Sequence, residues 1–306
     1  MTIACGIDIG TNSFRLLVAE VGDGCLRPLA YDLVTVRLGE GLGATSLLAP
    51  AAMLRGEAAL VRFAGKMAGY PLHSVRACAT HAVRRADNSR DFLQRAEALI
   101  GPVEVLSGEE EARLALFGAL SALPKSLRCY PMFMVDVGGG STELILEVTA
   151  GSEPRVISLP LGAVGLTEDF GANLESMRAK IRGILAPALR SITAGVMVGQ
   201  DLSLVASGGT ATSLAALALG LDRYDAQLVQ NYQLSQAMLH RLVVSLSALS
   251  SRECNALPGL GDGRGEIIVA GVLVLEELQQ ALASQSLLVS DAGLLEGILL
   301  SGATGC

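Results

Sequence analysis

The sequence is poor in the residues that mark several classes of protein. It contains no tryptophan and only three histidines, His73, His81 and His240, whose spacing is unlike that of zinc ligands. Its six cysteines form no Cys-x-x-Cys pair, which is typical of reduced thiols in a cytoplasmic protein. No apolar run approaches the ~18 residues of a membrane span, and no basic segment of a signal peptide opens the chain. We therefore expect a cytoplasmic protein that does not bind membranes.

The charge of the chain is one-sided. The formal net charge is −7, which argues against nucleic acid as a partner, because nucleic-acid-binding proteins neutralise phosphates with basic patches. Any site for an anionic ligand must therefore be local. The 306 residues, of which 51% are hydrophobic, are enough for two domains with separate cores.

Two glycine-rich turns with similar sequences carry most of the functional information. The first runs from Asp8 to Ser13 (Asp-Ile-Gly-Thr-Asn-Ser), and the second runs from Asp136 to Thr142 (Asp-Val-Gly-Gly-Gly-Ser-Thr). Each lies between two apolar strands, so each predicts a β-hairpin whose N–H groups and hydroxyls can surround a phosphate. One such turn is weak evidence, because hairpins use glycine for conformational reasons. Two of them, in the two halves of the chain, predict a duplicated fold that binds a phosphoryl group.

Strands and helices alternate in both halves, which predicts an α/β chain of two related domains joined near residues 124–131. In the second half, a strand at Leu202–Ala206 leads into a third glycine turn, Ser207–Thr210, which opens a helix. The N–H groups and the dipole of a helix N-terminus favour an anion there.

A run of three glutamates, Glu109–Glu111, opens a helix late in the first half. Ser107 and Glu110 fit a capping box, and Glu109 lies four residues before Arg113, so two of the glutamates have structural reasons to be there. Glu111 instead shares its helical face with apolar residues and is expected to face the interior. A partly desolvated carboxylate at that position suits a general base.

Further polar residues suit a metal ion or a phosphate. Asp136 ends a strand that faces three glycines, and Glu143 follows the same turn, so both are candidate oxygen ligands for Mg²⁺. Asp8 occupies the corresponding place in the first turn. Arg84 follows a short strand and is a candidate phosphate ligand through its planar guanidinium, whereas Arg85 is expected to lie in solvent.

The motifs resemble, in order and over nearly the whole chain, those of the exopolyphosphatase / guanosine pentaphosphate phosphohydrolase family. The turn Gly-Gly-Gly-Ser-Thr-Glu and the segment Ser-Gly-Glu-Glu-Glu-Ala-Arg are the most specific parts of this resemblance. The matching segments are Asp8–Arg15, Ala79–Arg84 with Asn88, Ser107–Arg113, Asp136–Leu144, Leu161–Val164, Ser207–Thr210, Leu257–Leu260, Arg264–Gly271 and Val289–Ala292.

The resemblance implies two actin-like (ribonuclease H-like) α/β domains with the active site in the interdomain cleft. The closing helix is then expected to return to the first domain, which gives residues 1–123 plus 292–306 for the N-terminal domain and residues 124–291 for the C-terminal domain. The implied reaction is Mg²⁺-assisted hydrolysis of a terminal phosphoanhydride with Glu111 as the general base, and Asp136, Glu143 and Asp8 are the expected metal ligands. The expected phosphate-binding residues are Thr11, Asn12, Ser13, Arg84, Gly138, Gly139, Gly140, Ser141, Thr142, Gly208, Gly209 and Thr210.

Two positions depart from the pattern of the family, and several alternatives stay open. Gly165 and Leu295 stand where the family usually has arginine, so the affinity for long polyphosphate is expected to be weaker. The sequence does not separate polyphosphate from guanosine pentaphosphate as the substrate. A nucleotide- or alarmone-binding regulator with little turnover is the alternative of another class, although a pure binding protein has no need of Glu111 as a base. A homodimer is a further hypothesis, because members of the family often pair.

Overall fold

A computed structural model of the chain describes residues 2–22, 25–196, 202–261 and 263–303. The chain divides into two compact units. Unit 1 comprises Met1–Ser121 together with Gly293–Cys306, and unit 2 comprises Ala122–Ala292. The division expected from the sequence placed the boundaries after residues 123 and 291. In the described part of the chain, every helix is too short or too polar to span a bilayer.

Unit 1 begins with three antiparallel strands and continues with alternating helices and strands. The strands of the meander are β1 (Thr2–Ile9), β2 (Ser13–Gly22) and β3 (Cys25–Thr35). The elements that follow are α1 (Leu42–Thr45), α2 (Pro50–Met67), β4 (Ser74–Ala79), α3 (His81–Arg85), α4 (Ser89–Ile100), β5 (Val103–Val105) and α5 (Gly108–Ala122).

Unit 2 repeats this scheme with additional helices. After a short 3-10 helix at Lys125–Leu127, its elements are β6 (Met132–Val137), β7 (Thr142–Glu147), β8 (Arg155–Leu159), α6 (Ala163–Phe170), α7 (Leu174–Ile192), β9 (Ser203–Ser207), α8 (Gly208–Leu219), α9 (Ala226–Val229), β10 (Gln233–Ser235), α10 (Gln236–Ser247), α11 (Ser251–Asn255), α12 (Ile268–Ala281) and β11 (Ser286–Val289). The chain then returns to unit 1 as α13 (Leu294–Ala303).

The two sheets share one strand order, which supports the predicted duplication. The sheet of unit 1 has the order β3-β2-β1-β4-β5, in which β1 is antiparallel to β2 and parallel to β4. The sheet of unit 2 has the order β8-β7-β6-β9-β11, with the antiparallel strand β10 added at the edge. In it β6 is antiparallel to β7 and parallel to β9. The predicted α/β class with two related actin-like units is therefore confirmed.

Alternating side chains of β1 and β2 enter two separate cores on the two faces of the unit 1 sheet. On one face, Leu16 and Val18 pack with buried residues of α2 and α4, such as Phe63. On the other face, Leu17 and Ala19 pack with Leu295, Leu299 and Leu300 of α13. The period of two therefore buries both faces of these strands, one under the helices that follow β3 and one under the last helix.

Some elements differ from the pattern that the sequence indicated. The sequence pattern of residues 263–282 is largely helical, but α12 begins only at Ile268. The backbone before it is held in turns, because the Gly265 N–H donates to Oδ1 of Asn255 at 2.8 Å. Leu295, noted as a departure from the family pattern, is 1% exposed in the apolar core next to β1. Its side chain is therefore part of the packing of α13 and does not reach solvent.

Candidate active site

The two glycine-rich hairpins of the sequence close in the same way. At the first turn, the Gly10 N–H donates to the carbonyl oxygen of Ser13 at 3.2 Å. At the second, the Gly138 N–H donates to the carbonyl oxygen of Ser141 at 2.9 Å. The residues between have no ladder partners, so their remaining N–H groups are available to an anion at each turn. The internal similarity of the sequence thus corresponds to two copies of one turn.

The first turn places a buried carboxylate next to an arginine. Asp8 and Arg15 lie opposite each other in β1 and β2, and Nε of Arg15 donates to Oδ2 of Asp8 at 2.8 Å. The other oxygen, Oδ1, is buried and accepts no hydrogen bond from the described residues. At the tip, Thr11 and Asn12 are also buried, and Nδ2 of Asn12 donates to the hydroxyl of Ser13 at 3.2 Å. This turn therefore keeps an unsatisfied acceptor in a site that water barely reaches.

The second turn is held against the loop that follows β8. The N–H groups of Ala163 and Val164 donate to the carbonyl oxygens of Gly138 and Gly139 at 3.0 and 2.8 Å. A Cβ at Gly162 would lie 2.3 Å from the carbonyl oxygen of Gly139, so this close approach requires glycine. The carbonyl groups of Gly138 and Gly139 thus accept hydrogen bonds from the start of α6, which fixes the orientation of the peptide groups of the turn.

Two predicted phosphate ligands of this turn have different surroundings. Thr142 is fully buried, and its hydroxyl donates to the carbonyl oxygen of Leu161 at 2.5 Å. Ser141 is also buried, at 3% exposure, and its carbonyl oxygen closes the turn on Gly138. The hydroxyl proton of Thr142 is therefore committed within the fold, and its assignment to phosphate stays a prediction.

Asp136 and Glu143 form the carboxylate pair predicted to hold a metal ion. They lie directly opposite each other in β6 and β7. In the first hairpin, the residue opposite Asp8 is Arg15, so Arg15 occupies the position that corresponds to Glu143. Ser207 donates its hydroxyl to Oδ2 of Asp136, and Ser158 donates its hydroxyl to Oε1 of Glu143, both at 2.8 Å. Like charges placed opposite each other in a sheet repel, so a cation bound beside this pair would be stabilised by both carboxylates.

This donor set fits a hard divalent cation. Carboxylate oxygens are the ligands that Mg²⁺ prefers, and Mg²⁺ is commonly bound through one or two carboxylates with water and substrate phosphate completing its coordination. Within the described ranges no three His, Cys, Asp or Glu side chains gather into a metal-binding group. The pair of Asp136 and Glu143 therefore suits a magnesium ion that is shared with a phosphate ligand, rather than an ion enclosed by protein alone.

The third glycine turn lies directly beside Asp136. Strand β9 ends at Ser207 and α8 begins at Gly208, so the predicted order of strand and helix is confirmed, but the residues predicted as the turn already belong to the end of the strand and the first turn of the helix. Gly208 has φ +83°, and a Cβ there would lie 2.2 Å from Oδ1 of Asp136. Thr210 donates its hydroxyl to the carbonyl oxygen of Val137 at 3.0 Å. The N-terminus of α8 thus contacts Asp136 and Val137 at the end of β6, directly before the second turn. A phosphate bound at the N-terminus of α8 would lie at the positive end of the helix dipole.

The predicted general base lies in unit 1, near the N-terminus of α5. Glu111 is 8% exposed, and Nη1 of Arg84 donates to its Oε2 at 3.1 Å. The same Nη1 donates to the carbonyl oxygen of Leu106 at 2.6 Å, just before the helix. Arg84, predicted as a phosphate ligand, therefore also positions Glu111. Nη1 of Arg84 donates both of these hydrogen bonds. Nε and Nη2 take no part in these two bonds.

The two neighbouring glutamates have the structural roles that the sequence indicated. Ser107 and Glu110 form the reciprocal bonds of a capping box, since the Ser107 N–H donates to Oε2 of Glu110 at 2.8 Å and the Glu110 N–H donates to the Ser107 hydroxyl at 3.2 Å. These bonds hold the pKa of Glu110 below its usual value. Glu109 pairs with Arg113 at 3.4 Å on the surface. Of the three, Glu111 is the buried one.

Sequence reasoning did not assign roles to two arginines that the fold brings to the turns. Arg15 pairs with Asp8, and the alternation of β2 could have shown it, because positions opposite each other in a hairpin share a face. Arg264 lies far from the third turn in sequence, but its Nη1 donates to the carbonyl oxygen of Gly209 at 3.0 Å and to the hydroxyl of Ser213 at 2.7 Å. That tertiary contact left no local signal in the sequence.

Comparisons with known proteins agree with this picture. A model of the Ppx/GppA phosphatase family matches residues 17–304. Exopolyphosphatase 2 of Mycobacterium tuberculosis is 33% identical, and the match covers 98% of this chain and 98% of that protein. A solved Ppx/GppA family member of Aquifex aeolicus is 29% identical, with a TM-score of 0.79 over 99% of this chain and 98% of that one. A solved exopolyphosphatase of Cytophaga hutchinsonii is 25% identical, with a TM-score of 0.88 over 99% and 98% of the two chains.

Proposed function

This chain belongs to the Ppx/GppA phosphatase family and is a phosphoanhydride hydrolase, and we propose that it releases the terminal phosphate of inorganic polyphosphate by attack of water. The observation that carries the proposal is the carboxylate of Glu111, which is 8% exposed and lies 3.1 Å from the Arg84 guanidinium. It is buried, whereas Glu110 caps the helix and Glu109 pairs with Arg113 on the surface. A buried, oriented carboxylate is the group that a hydrolase needs to accept the proton of the attacking water.

In this proposal Glu111 removes a proton from a water molecule as its oxygen bonds to the terminal phosphorus. The bond from that phosphorus to the bridging oxygen breaks, and the electron pair leaves with the shortened chain. One water is consumed, and one orthophosphate and a chain shorter by one phosphate result. Positioning and neutralisation of charge supply most of the rate in phosphoryl transfer, so no covalent intermediate is needed.

We assign the binding of the phosphates to the three turns and to Arg84. The N–H groups at Thr11–Ser13, at Gly138–Thr142 and at Gly208–Thr210 bind phosphate oxygens, whereas the hydroxyls of Thr142 and Thr210 donate to carbonyl oxygens of the fold. Asp136 and Glu143 would hold Mg²⁺, and the role of Asp8 as a further ligand stays a prediction. When bound, the ion neutralises charge on the phosphates during the displacement.

The test is the release of orthophosphate by purified protein with magnesium. Three substrates are compared: short polyphosphate, long polyphosphate and guanosine pentaphosphate. Glu111→Gln is expected to lower kcat by about 10²–10⁴-fold, because the amide accepts no proton at neutral pH. Glu109→Gln, on the same helix but paired on the surface, is the matched control and is expected to keep full activity.

The outcomes separate the candidate functions. Faster release from guanosine pentaphosphate than from both polyphosphates would make the 5′-phosphohydrolase the main activity. Wild-type protein that binds these compounds but releases no phosphate would overturn the hydrolase and favour the binding regulator. Equal activity of Glu111→Gln and Glu109→Gln would remove Glu111 from the mechanism.

A further inference from the structure

Helix α2 of unit 1 is apolar on two opposite faces. Its inner face packs in the core of the unit through residues such as Leu60 and Phe63. On its outer face, the side chains of Leu54 and Val61 are large and apolar, and these residues are 60% and 56% exposed. The outer face of a surface helix usually carries charged or polar residues, because water covers it. The outer face of α2 therefore departs from the usual pattern of a surface helix.

The exposed apolar residues of α2 repeat with the spacing of a coiled coil. They are Ala51, Leu54, Ala58, Val61 and Gly65, and all five are exposed. Successive members are separated by three and four residues in turn, so they take positions a, d, a, d and a of a heptad. This is the pattern by which one helix packs along a second helix. We call these five residues the α2 seam, and they form one continuous uncharged strip along the helix rather than scattered side chains.

The charged residues beside the α2 seam favour one partner and one orientation. With the seam at a and d, Glu57 takes position g, and Arg62 takes position e of the next heptad. When two such helices lie parallel, position g of one helix lies beside position e of the other. Glu57 of each copy then attracts Arg62 of the other copy. An antiparallel pair brings position e next to position e, where Arg55 and Arg62 of the two copies repel each other.

Glu57 and Arg62 have contacts within unit 1 that leave atoms for such a pair. Oε1 of Glu57 accepts a hydrogen bond from Arg95 at 2.8 Å. Nε and Nη2 of Arg62 donate to the carboxylate of Asp32 at 2.8 and 2.7 Å. Oε2 of Glu57 and Nη1 of Arg62 take no part in these bonds. Because the internal bonds already order both side chains, their use in an interface costs less conformational entropy.

We propose that the α2 seam is the interface of a parallel homodimer, in which α2 of one copy packs along α2 of a second copy. The occupant is a second copy of this chain, because a two-fold axis along the seam makes both the apolar strip and the flanking charges complementary to themselves. The seam covers only about two and a half heptads, so the dimer exchanges with the monomer, with a Kd of roughly 1–100 μM. This proposal is independent of the proposed function.

The first test is sedimentation velocity at protein concentrations from about 1 to 100 μM. The sedimentation coefficient of the wild-type protein is expected to rise with concentration from that of a monomer toward that of a dimer. Val61→Glu places a carboxylate in the seam of both copies and is expected to weaken association by at least about 10-fold. Val244→Glu is the matched control, because Val244 is 58% exposed on α10 of unit 2, and it should associate like the wild type. Circular dichroism checks that both variants fold, as expected for exposed positions.

The second test distinguishes the parallel from the antiparallel arrangement. Leu54→Cys and Val61→Cys are oxidised separately and as a mixture, in a Cys129→Ser background because Cys129 is exposed. A parallel pair brings the same position of the two copies together, so each variant should form a disulfide-linked dimer by itself. The background protein without an added cysteine is oxidised as the control and should stay uncrosslinked.

Three results would overturn the proposal. A sedimentation coefficient of the wild-type protein that does not change with concentration excludes the dimer. Equal association of Val61→Glu and the wild type places any dimer interface elsewhere on the molecule. Crosslinking that occurs only in the mixture of Leu54→Cys and Val61→Cys shows an antiparallel pair. None of these measurements depends on phosphate release, so they hold whether or not the hydrolase activity is found.

Discussion

Gly118 is where helix α5 meets the backbone of α13 within unit 1. A Cβ at this position would lie 1.8 Å from the carbonyl oxygen of Gly293 and 2.7 Å from the nitrogen of Gly297. Both are main-chain atoms, so no change of rotamer relieves the overlap. Ordinary contact begins at 3.4 Å, which means that the helices in Gly118→Ala have to separate by roughly 1.5 Å.

This separation is expected to lower both stability and activity. Overpacking against rigid backbone costs about 3 kcal/mol, which at roughly 2–4 °C per kcal/mol lowers the midpoint of thermal unfolding by about 6–12 °C. Glu111 lies on the same helix, seven residues before Gly118 and therefore on the same face. A displacement of a catalytic group by about 1 Å can cost on the order of 100-fold in rate, so phosphate release at 25 °C should fall by a comparable factor.

Gly65→Ala provides the matched comparison. Gly65 lies inside α2 of the same unit, and a Cβ there meets no neighbouring atom within 4 Å. Replacement of a helical glycine by alanine is expected to stabilise the unit by about 0.5–1 kcal/mol and to leave the rate unchanged. Circular dichroism during heating and the phosphate assay measure both effects. A midpoint of Gly118→Ala equal to that of Gly65→Ala would refute the reasoning.

Three further predictions concern the second turn, the substrate and pH. Gly162→Ala should lower kcat/KM by at least 10-fold, because its Cβ would lie 2.3 Å from the Gly139 carbonyl oxygen. Gly165→Ala is the control and should leave kcat/KM unchanged, because a Cβ there meets no atom within 4 Å. Equal values of kcat/KM for the two variants would contradict this prediction. Gly165→Arg restores the residue usual in the family and should lower KM for long polyphosphate more than for tripolyphosphate; an unchanged ratio counts against a substrate contact there. Burial and the two neighbouring arginines lower the pKa of His81 to about 4. Since the unfolded chain binds this proton below pH ~6.5, stability should be lost as the pH falls from 6.5 to 4, and His81→Gln should flatten that limb of a urea-unfolding series.

Repetition was the most informative signal in the sequence. The pattern apolar-Asp-apolar-Gly occurs twice, and it predicted two hairpins that the fold closes with the same N–H to carbonyl bond. The sequence also predicted that Glu109 and Glu110 have structural roles and that Glu111 faces the interior, because helix capping and helical periodicity depend on residues three or four positions apart. Local rules of this kind need no knowledge of the tertiary structure.

Contacts between distant segments could not be predicted in this way. Arg264 reaches the third turn across 55 residues of sequence, and Asn255 keeps the residues before α12 out of the helix. Helix α10 could have been predicted, because Leu239, Leu242, Val243 and Leu246 have the i, i+3, i+4, i+7 spacing of a helical face. The cytoplasmic location and the homodimer stay predictions.

Unit 1 is made from both ends of the chain, and this has a consequence for the order of folding during synthesis. Unit 2 is continuous, so all of its residues are synthesised before α13. Until then the β1–β2 hairpin lacks the cover of Leu295 and Leu299, and its second apolar face is exposed. We therefore expect α13 to complete unit 1 only after unit 2 has been synthesised. A chain truncated after residue 292 should be protease-resistant in unit 2 and sensitive in unit 1.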